Sequence, residues 1–224
     1  MSTSDPARNP SSPPACSLLL VDDHPALRAG LRSLLSGEAD FSVRADLSSG
    51  EEAYAWYRAN QPDVVVMDIS MEGYGGLEAL RHILQFDPKA RVLIYTVHDS
   101  EIMLQRALGL GALGYVTKGS HIDALIQGIR EVARGRGYVS PDMIHGMVRK
   151  QATRESSPLE DLSNREFHIL LLTAQGRSAL ECARALNLSE KTVRNHLSRI
   201  KAKVKVADTA GLTRLAIRMG IVTP

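Results

Sequence analysis

The sequence predicts an open, doubly wound α/β domain built on a parallel sheet, followed by a second, small all-α domain. Three observations carry that prediction. Apolar runs alternate with amphipathic stretches from Ser17 to residue 137. Beyond the polar segment that follows, only helical patterns recur. The charge also divides: residues 1–149 hold 14 Lys and Arg against 18 Asp and Glu, a net of −4, and residues 150–224 hold 13 against 7, a net of +6. Strands alternating with helices call for a parallel sheet covered on both faces. An acidic unit joined to a basic one implies different partners, with nucleic acid a candidate for the second.

At 224 residues and 44% hydrophobic composition, the chain is long enough for one or two real cores. Cys16 and Cys182 are its only cysteines, far apart and without metal-ligand spacing, as expected of reduced thiols in a cytoplasmic protein. No stretch approaches a membrane span, and the run Leu18 to Val21 is too short for a signal-peptide core. Residues 1–16, rich in Ser and Pro, read as a disordered leader.

Ser17 to Val21 (SLLLV) is the first strand, followed by an amphipathic helix from Pro25 to Leu35. Phe41 to Leu47 reads as a strand and Glu51 to Asn60 as a helix. Asp63 to Asp68 contains VVVM, a run with no polar face, which suits a strand buried on both sides. A helix over Gly76 to Phe86, a strand over Arg91 to Thr96 and a helix over Glu101 to Leu110 continue the alternation. A short strand from Leu113 to Thr117 and a helix from Ile122 to Arg134 complete five strands and five helices.

In such sheets the functional groups lie beyond the carboxyl ends of the strands. Those ends are Asp22-Asp23, Asp68, Thr96 and Lys118. Three carboxylates crowded together repel unless a cation sits among them. Oxygen-only ligands with no His or Cys nearby favour a hard ion, above all Mg2+ retaining several waters. A carboxylate beside such an ion, an amine and a hydroxyl is suited to accepting a phosphoryl group, with Asp68 as nucleophile.

VDDHP at Val21 to Pro25, MDIS at Met67 to Ser70, the threonine of IYTV and the lysine of YVTK resemble the receiver domain of bacterial two-component response regulators. The likeness covers residues 17–137 and implies a flavodoxin-like sheet of five strands in the order 2-1-3-4-5. By position, Asp68 resembles the phosphoacceptor, and Asp22 and Asp23 the acids that hold Mg2+ with it. Thr96 resembles the hydroxyl that moves toward the phosphoryl group, Lys118 the amine that pairs with it, and Tyr115 the aromatic that turns inward. Ser70 and His98 match positions flanking the phosphoryl group and are candidates for setting its lifetime. The chain departs from the family at Glu72, where proline is usual, and at Gly75, where an acid is frequent. Gly73 to Gly76 therefore reads as a flexible loop, and Glu72 as pointing to solvent. Gly119 replaces the proline after the lysine, so no cis peptide is expected there.

Pro141 to Lys150 reads as one more helix, and the polar stretch Gln151 to Asp161 as a linker, giving a helix-and-linker segment over 138–161. In the domain over 162–224, Ser163 and Glu166 form a capping box ahead of a helix bearing Phe167, Leu170 and Leu171 on one face. A short helix from Ala179 to Leu186 precedes a turn at Asn187-Leu188. Ser189 then caps a helix over about 190–204, with Val193, Leu197 and Ile200 as its apolar seam. The sequence LSEKTVRNH with the basic run behind it resembles the LuxR-type helix-turn-helix of NarL/FixJ regulators. The resemblance implies base contacts from Arg194, Asn195 and Ser198, and backbone contacts from Lys191, Thr192, His196 and Arg199. Lys205 stands where glycine is usual, and Cys182 reads as a small core residue. A last helix, about Ala210 to Met219, is expected to pack inward and to supply a two-fold contact.

The combined reading is a phosphorylation-controlled DNA-binding transcriptional regulator and not an enzyme. Its implied partners are DNA, a sensor histidine kinase, RNA polymerase and, when phosphorylated, a second copy of itself. The alternatives are a regulator with a vestigial receiver that binds DNA without phosphorylation, an aspartyl-intermediate phosphatase, and a flavin protein. Ser70 stands where such a phosphatase needs a second acid, and three crowded acids would repel a flavin phosphate.

Overall fold

The computed structural model describes residues 15–71, 75–144, 158–159 and 161–222. The leader before Ala15, Glu72, Gly73, Tyr74, the continuation of the Pro141 helix past residue 144 and most of the linker lie outside the described residues.

The strands are β1 (Cys16–Val21), β2 (Phe41–Leu47), β3 (Val64–Met67), β4 (Val92–Thr96), β5 (Gly114–Thr117) and β6 (Tyr138–Val139). They form one parallel sheet in the order β2-β1-β3-β4-β5-β6. The expected five strands and their order are present, and β6 adds a sixth at the edge. Its two residues pair with Gly114 and Tyr115 of β5.

Helices α1 (Pro25–Ser36), α2 (Gly50–Asn60), α3 (Gly76–Phe86), α4 (Glu101–Gly109) and α5 (Ile122–Ala133) connect the strands. Successive strand side chains point to opposite faces, and the core divides accordingly. Leu18, Leu20, Val64, Val66 and Leu93 pack with Leu31 and Leu35 of α1 and Ile129 and Val132 of α5. Leu19, Val65, Met67, Val92 and Ile94 pack on the other face with Ala53, Leu80, Ile83 and Leu104. Both faces of β3 are buried, as its unbroken apolar run requires.

The C-terminal helices are α6 (Asn164–Ala174), α7 (Ala179–Ala185), α8 (Glu190–Lys203) and α9 (Thr209–Arg218). The expected capping box is formed: Ser163 Oγ accepts from the Glu166 amide, and the Glu166 carboxylate from the Ser163 amide. Ser178 and Glu181 make a second box at α7. Each cap is worth on the order of 1 kcal/mol. Phe167, Leu170, Cys182, Val193, Ile200, Leu212 and Leu215 close this core, which runs on without a break into the α2–α4 face of the sheet. Cys182 is fully buried, and its burial pushes the thiol pKa up, so it is a core residue as expected.

Candidate functional site

The strand ends bring the expected groups together. The Asp68 amide donates to the Val21 carbonyl at 2.8 Å, placing the end of β3 beside the Asp22-Asp23 turn after β1. The Lys118 amide donates to the Thr96 carbonyl at 2.7 Å, joining the ends of β4 and β5. Asp22 is 3% exposed, Asp68 1% and Thr96 0%. Lys118 Nζ lies 2.6 Å from Asp22 Oδ2 and 2.6 Å from Asp68 Oδ2, one amine bridging two buried carboxylates. Burial opposes its charge, but Asp68 and Asp22 outweigh that effect and hold its pKa above the ordinary lysine value.

The loop that presents Lys118 is braced from behind. Thr117 Oγ1 and Ser120 Oγ both donate to the Asp142 carboxylate, at 2.8 and 2.6 Å. Asp142 lies in a helical turn over 141–144, and although burial opposes it, the hydroxyl donors hold its pKa below the usual carboxylate range.

Thr96 Oγ1 makes a 2.9 Å hydrogen bond with Ser70 Oγ, and the Ser70 amide donates to Asp68 Oδ1 at 2.8 Å. Tyr115 is already inside: its ring is fully buried and its hydroxyl donates to the His98 carbonyl at 2.9 Å. Burial, then Asp68 and Asp99, push the Tyr115 pKa up, so the phenol stays protonated. His98 is pulled below its ordinary value by burial, against Asp68 and Asp99.

The glycines beside Asp68 do more than loosen a loop. A Cβ on Gly76 would meet the Asp68 carbonyl oxygen at 2.0 Å, so only glycine lets α3 start this close to the end of β3. Gly75 has φ +70°, and a Cβ there would meet the His168 ring of α6 at 2.7 Å. The expectation of mere flexibility is corrected for these two positions. For Gly75, sequence patterns could not supply this reason, because its neighbour His168 lies in the other domain. No peptide bond among the described residues is cis.

The domains meet through groups that sequence reasoning missed. The Arg106 guanidinium of α4 donates to the carbonyls of Leu159 and Leu162 and to Asn164 Oδ1, and lies 3.9 Å from the Phe167 ring centroid. Burial lowers its pKa to about 10. Ser100 Oγ donates to the Met219 carbonyl at 3.1 Å. His168 is half-buried beside the start of α3, and desolvation there lowers its pKa to about 4 despite the nearby Glu78.

On α8, Val193 and Ile200 are buried and Leu197 partly so, which bears out the apolar seam. Lys191, Arg194, Asn195, Ser198 and Arg199 are exposed; Thr192 and His196 are half-buried. Ser189 Oγ accepts from the Thr192 amide at 3.1 Å and also bonds its hydroxyl. The Arg194 guanidinium pairs with Glu190 one turn earlier. Lys203 is spent inside the domain on Glu166, at 2.6 Å, and on the Asp161 carbonyl.

The acid cluster also fits a hard divalent cation. Asp22, Asp23 and Asp68 each offer an oxygen, and the expectation of an oxygen-only set with no histidine nearby is corrected: the turn after β1 folds His24 back over the acids, giving four ligand atoms within 4.8 Å of one another. Carboxylates packed this closely, two of them nearly inaccessible, need positive charge among them. Lys118 supplies part of it here.

Comparison with known proteins agrees with this geometry. Residues 18–130 match the family described as the response regulator receiver domain, and residues 160–216 that described as bacterial regulatory proteins, luxR family. Response regulator UvrY of Escherichia coli K12 is 38% identical over 206 residues, covering 91% of this chain and 94% of UvrY. Response regulator GacA of Pseudomonas aeruginosa is 35% identical over 207 residues, covering 92% and 97%. A LuxR-family two-component response regulator from Aurantimonas sp. SI85-9A1 is 40% identical, with a TM-score of 0.60 over 62% of this chain and 99% of that one. RcsB of Salmonella enterica serovar Typhimurium, bound to promoter rprA with the phosphomimetic BeF3−, shares the fold at 20% identity, with a TM-score of 0.70 over 90% and 98%. The chain thus belongs to the two-component response regulators of the NarL/FixJ type, phosphorylation-controlled DNA-binding regulators that join a receiver to a LuxR-type helix-turn-helix.

Proposed function

We propose that Asp68 is the residue through which this regulator is switched, within a receiver unit over 17–137 that is joined by 138–161 to a DNA-binding unit over 162–224. The observation that carries the reading is the Lys118 amine bridging Asp22 and Asp68 at 2.6 Å each, on an otherwise buried strand end. An Asp68 carboxylate oxygen attacks the phosphorus of a kinase phosphohistidine. A P–O bond forms, the P–N bond breaks, and the imidazole keeps the electron pair. Asp22, Asp23 and Asp68 would hold Mg2+, which when bound neutralises phosphoryl oxygens. Lys118 pairs with the new anion, Thr96 exchanges its Ser70 partner for a phosphoryl oxygen, and Tyr115 stays packed behind the loop.

On the DNA side, Arg194, Asn195 and Ser198 face the bases, and Lys191, Thr192, His196 and Arg199 the backbone, with α9 pairing two copies on adjoining half-sites. The exposure of the α8 residues in the docked arrangement favours a further point: unphosphorylated protein binds DNA weakly rather than not at all.

The test uses a pool of randomised duplexes, wild type and Asp68→Asn, with and without acetyl phosphate, at two salt concentrations. The donor should raise retention of DNA by wild type and leave Asp68→Asn unchanged. An equal response in both proteins would remove Asp68 from the mechanism. The salt slope counts the phosphate contacts.

A further inference from the structure

Beside the three carboxylates stands a donor of different chemistry that neither phosphoryl transfer nor DNA binding uses. His24 occupies the N-cap position of α1 and makes no side-chain cap bond there. Its backbone amide instead donates to Asp22 Oδ1 at 2.8 Å, which fixes the root of the side chain on the turn after β1. The ring is folded back over the acids: Nδ1 lies 2.8 Å from Asp23 Oδ1 and 3.2 Å from Asp22 Oδ1. The side chain is 70% exposed, and Nδ1 is the ring atom turned toward the acids, where a cation bound among them would meet it. One ligand atom each from Asp22, Asp23, His24 and Asp68 falls within 4.8 Å of the others. Ligands on a single divalent ion lie roughly 3–4.5 Å apart, from metal–ligand distances of about 2.0–2.2 Å, so a small inward shift completes such a set.

The oxygens are also shared out between two neighbours. Lys118 Nζ takes Oδ2 of Asp22 and of Asp68, whereas the imidazole addresses Oδ1 of Asp22 and of Asp23. His24 therefore reaches the acids without competing with the lysine for the same atoms.

We propose that His24 Nδ1 is a ligand of the receiver's divalent cation and tilts the site from Mg2+ toward Mn2+. The proposal rests on the reading of the acid cluster as the cation site. Mg2+ takes oxygen ligands and gives up water reluctantly, so an imidazole adds little to its binding. Mn2+ accepts the same carboxylates and also gains from a nitrogen donor. The three acids thus make the site a divalent one, and His24 sets which divalent ion it holds more tightly.

The experiment uses the full chain stripped of metal, and reads binding rather than regulation. Mn2+ is titrated by the loss of the free-ion EPR signal, Mg2+ by competition against it, and pulsed EPR of bound Mn2+ reports any coupling to an imidazole nitrogen. Wild type should show that coupling. His24→Ala and His24→Gln should lose it and weaken Mn2+ about ten-fold, the size of effect a ligand-environment change commonly has, while Mg2+ shifts less than about two-fold. Asp68→Asn is the control for the underlying reading. If Asp68→Asn weakens both ions but the His24 variants leave the Mn2+ to Mg2+ ratio and the spectrum unchanged, the His24 proposal falls and the acid site stands. If the His24 variants bind both ions more tightly by the same factor, the ring competes with the cation as a hydrogen-bond donor, and the proposal falls again. If Asp68→Asn holds both ions as wild type does, the acid cluster is not the cation site and both readings fall.

Discussion

Replacing Arg106 with alanine should separate the two domains without unfolding either. The guanidinium leaves its own receiver helix to donate to the Leu159 and Leu162 carbonyls and to Asn164, and stacks on Phe167. Hydrogen bonds from a charged donor contribute about 1.5–3 kcal/mol each. A partly desolvated cation over an aromatic ring adds about 1–2 kcal/mol. Against this stand about 2 kcal/mol of side-chain ordering and the burial cost that brings the Arg106 pKa down to about 10. A net near 3 kcal/mol remains, which corresponds to roughly two orders of magnitude in the docking equilibrium. Hydrogen exchange should read the change as faster exchange over 101–109 and 163–170, and small-angle scattering as a larger radius of gyration. Arg106→Lys keeps the charge but loses the fork, and should fall between the two. Unaltered exchange and radius in Arg106→Ala would refute the assignment of this residue as the clasp.

Three more perturbations follow from the geometry. Gly75→Ala forces a Cβ toward the His168 ring at a backbone angle that side chains avoid, so it should undock the domains, and His168→Ala should restore part of the contact. His168 has a depressed pKa, about 4 against an ordinary 6.5, so the undocked state binds the proton more readily. Docking is then at full strength above pH 6.5 and is lost as the pH falls toward 4, a slope that scattering should show and that His168→Gln should flatten. Lys205 sits at φ +55°, just past the end of α8, where the family's usual residue is glycine. Lys205→Gly should stabilise the C-terminal domain by about 1 kcal/mol in thermal melts, and an unchanged or lower melting temperature would show that the angle carries no strain.

The placement of the candidate groups was legible because each of them ends a strand. Asp22, Asp23, Asp68, Thr96 and Lys118 needed only the alternation of elements and the rule for carboxyl ends. β6 was not legible, since two residues cannot show a period and the strand exists only by pairing with β5. On α8, face arithmetic found the buried seam but not the use of each polar group. Lys203 belongs to the basic run but is taken up by Glu166 inside the domain, and Thr192 is also part of its own helix cap. Arg106, Ser100 and His168 carry no local signature because their partners lie across the domain boundary. Gly75 did give a signal, as a departure from the family pattern, but the pattern could not say what filled the space.

Ser100 gives the sharpest test of how the acceptor edge and the second domain are joined. It holds the N-cap position of α4 with extended backbone, yet its side chain makes no cap bond and its hydroxyl goes to the Met219 carbonyl at the end of α9. The residue is buried, so this choice is not made by water. Ser100→Ala removes the bond and should weaken docking by about 1 kcal/mol, with no gain to the helix. Ser100→Asp differs in kind: a carboxylate caps α4 well but cannot donate to a carbonyl, and it faces the negative end of α9. The Asp variant should therefore stabilise the receiver in denaturant while lowering the docked population about ten-fold, more than Ala does. Equal docking in the two variants would mean that the Met219 contact is incidental. The same short loop begins at Thr96, which bonds Ser70 beside Asp68, and includes His98, whose carbonyl holds Tyr115. In the proposed switch, a shift of the Thr96 hydroxyl toward a phosphoryl group would pull on the segment whose far end is Ser100, so the Asp variant should also need less phosphodonor to reach the same DNA affinity.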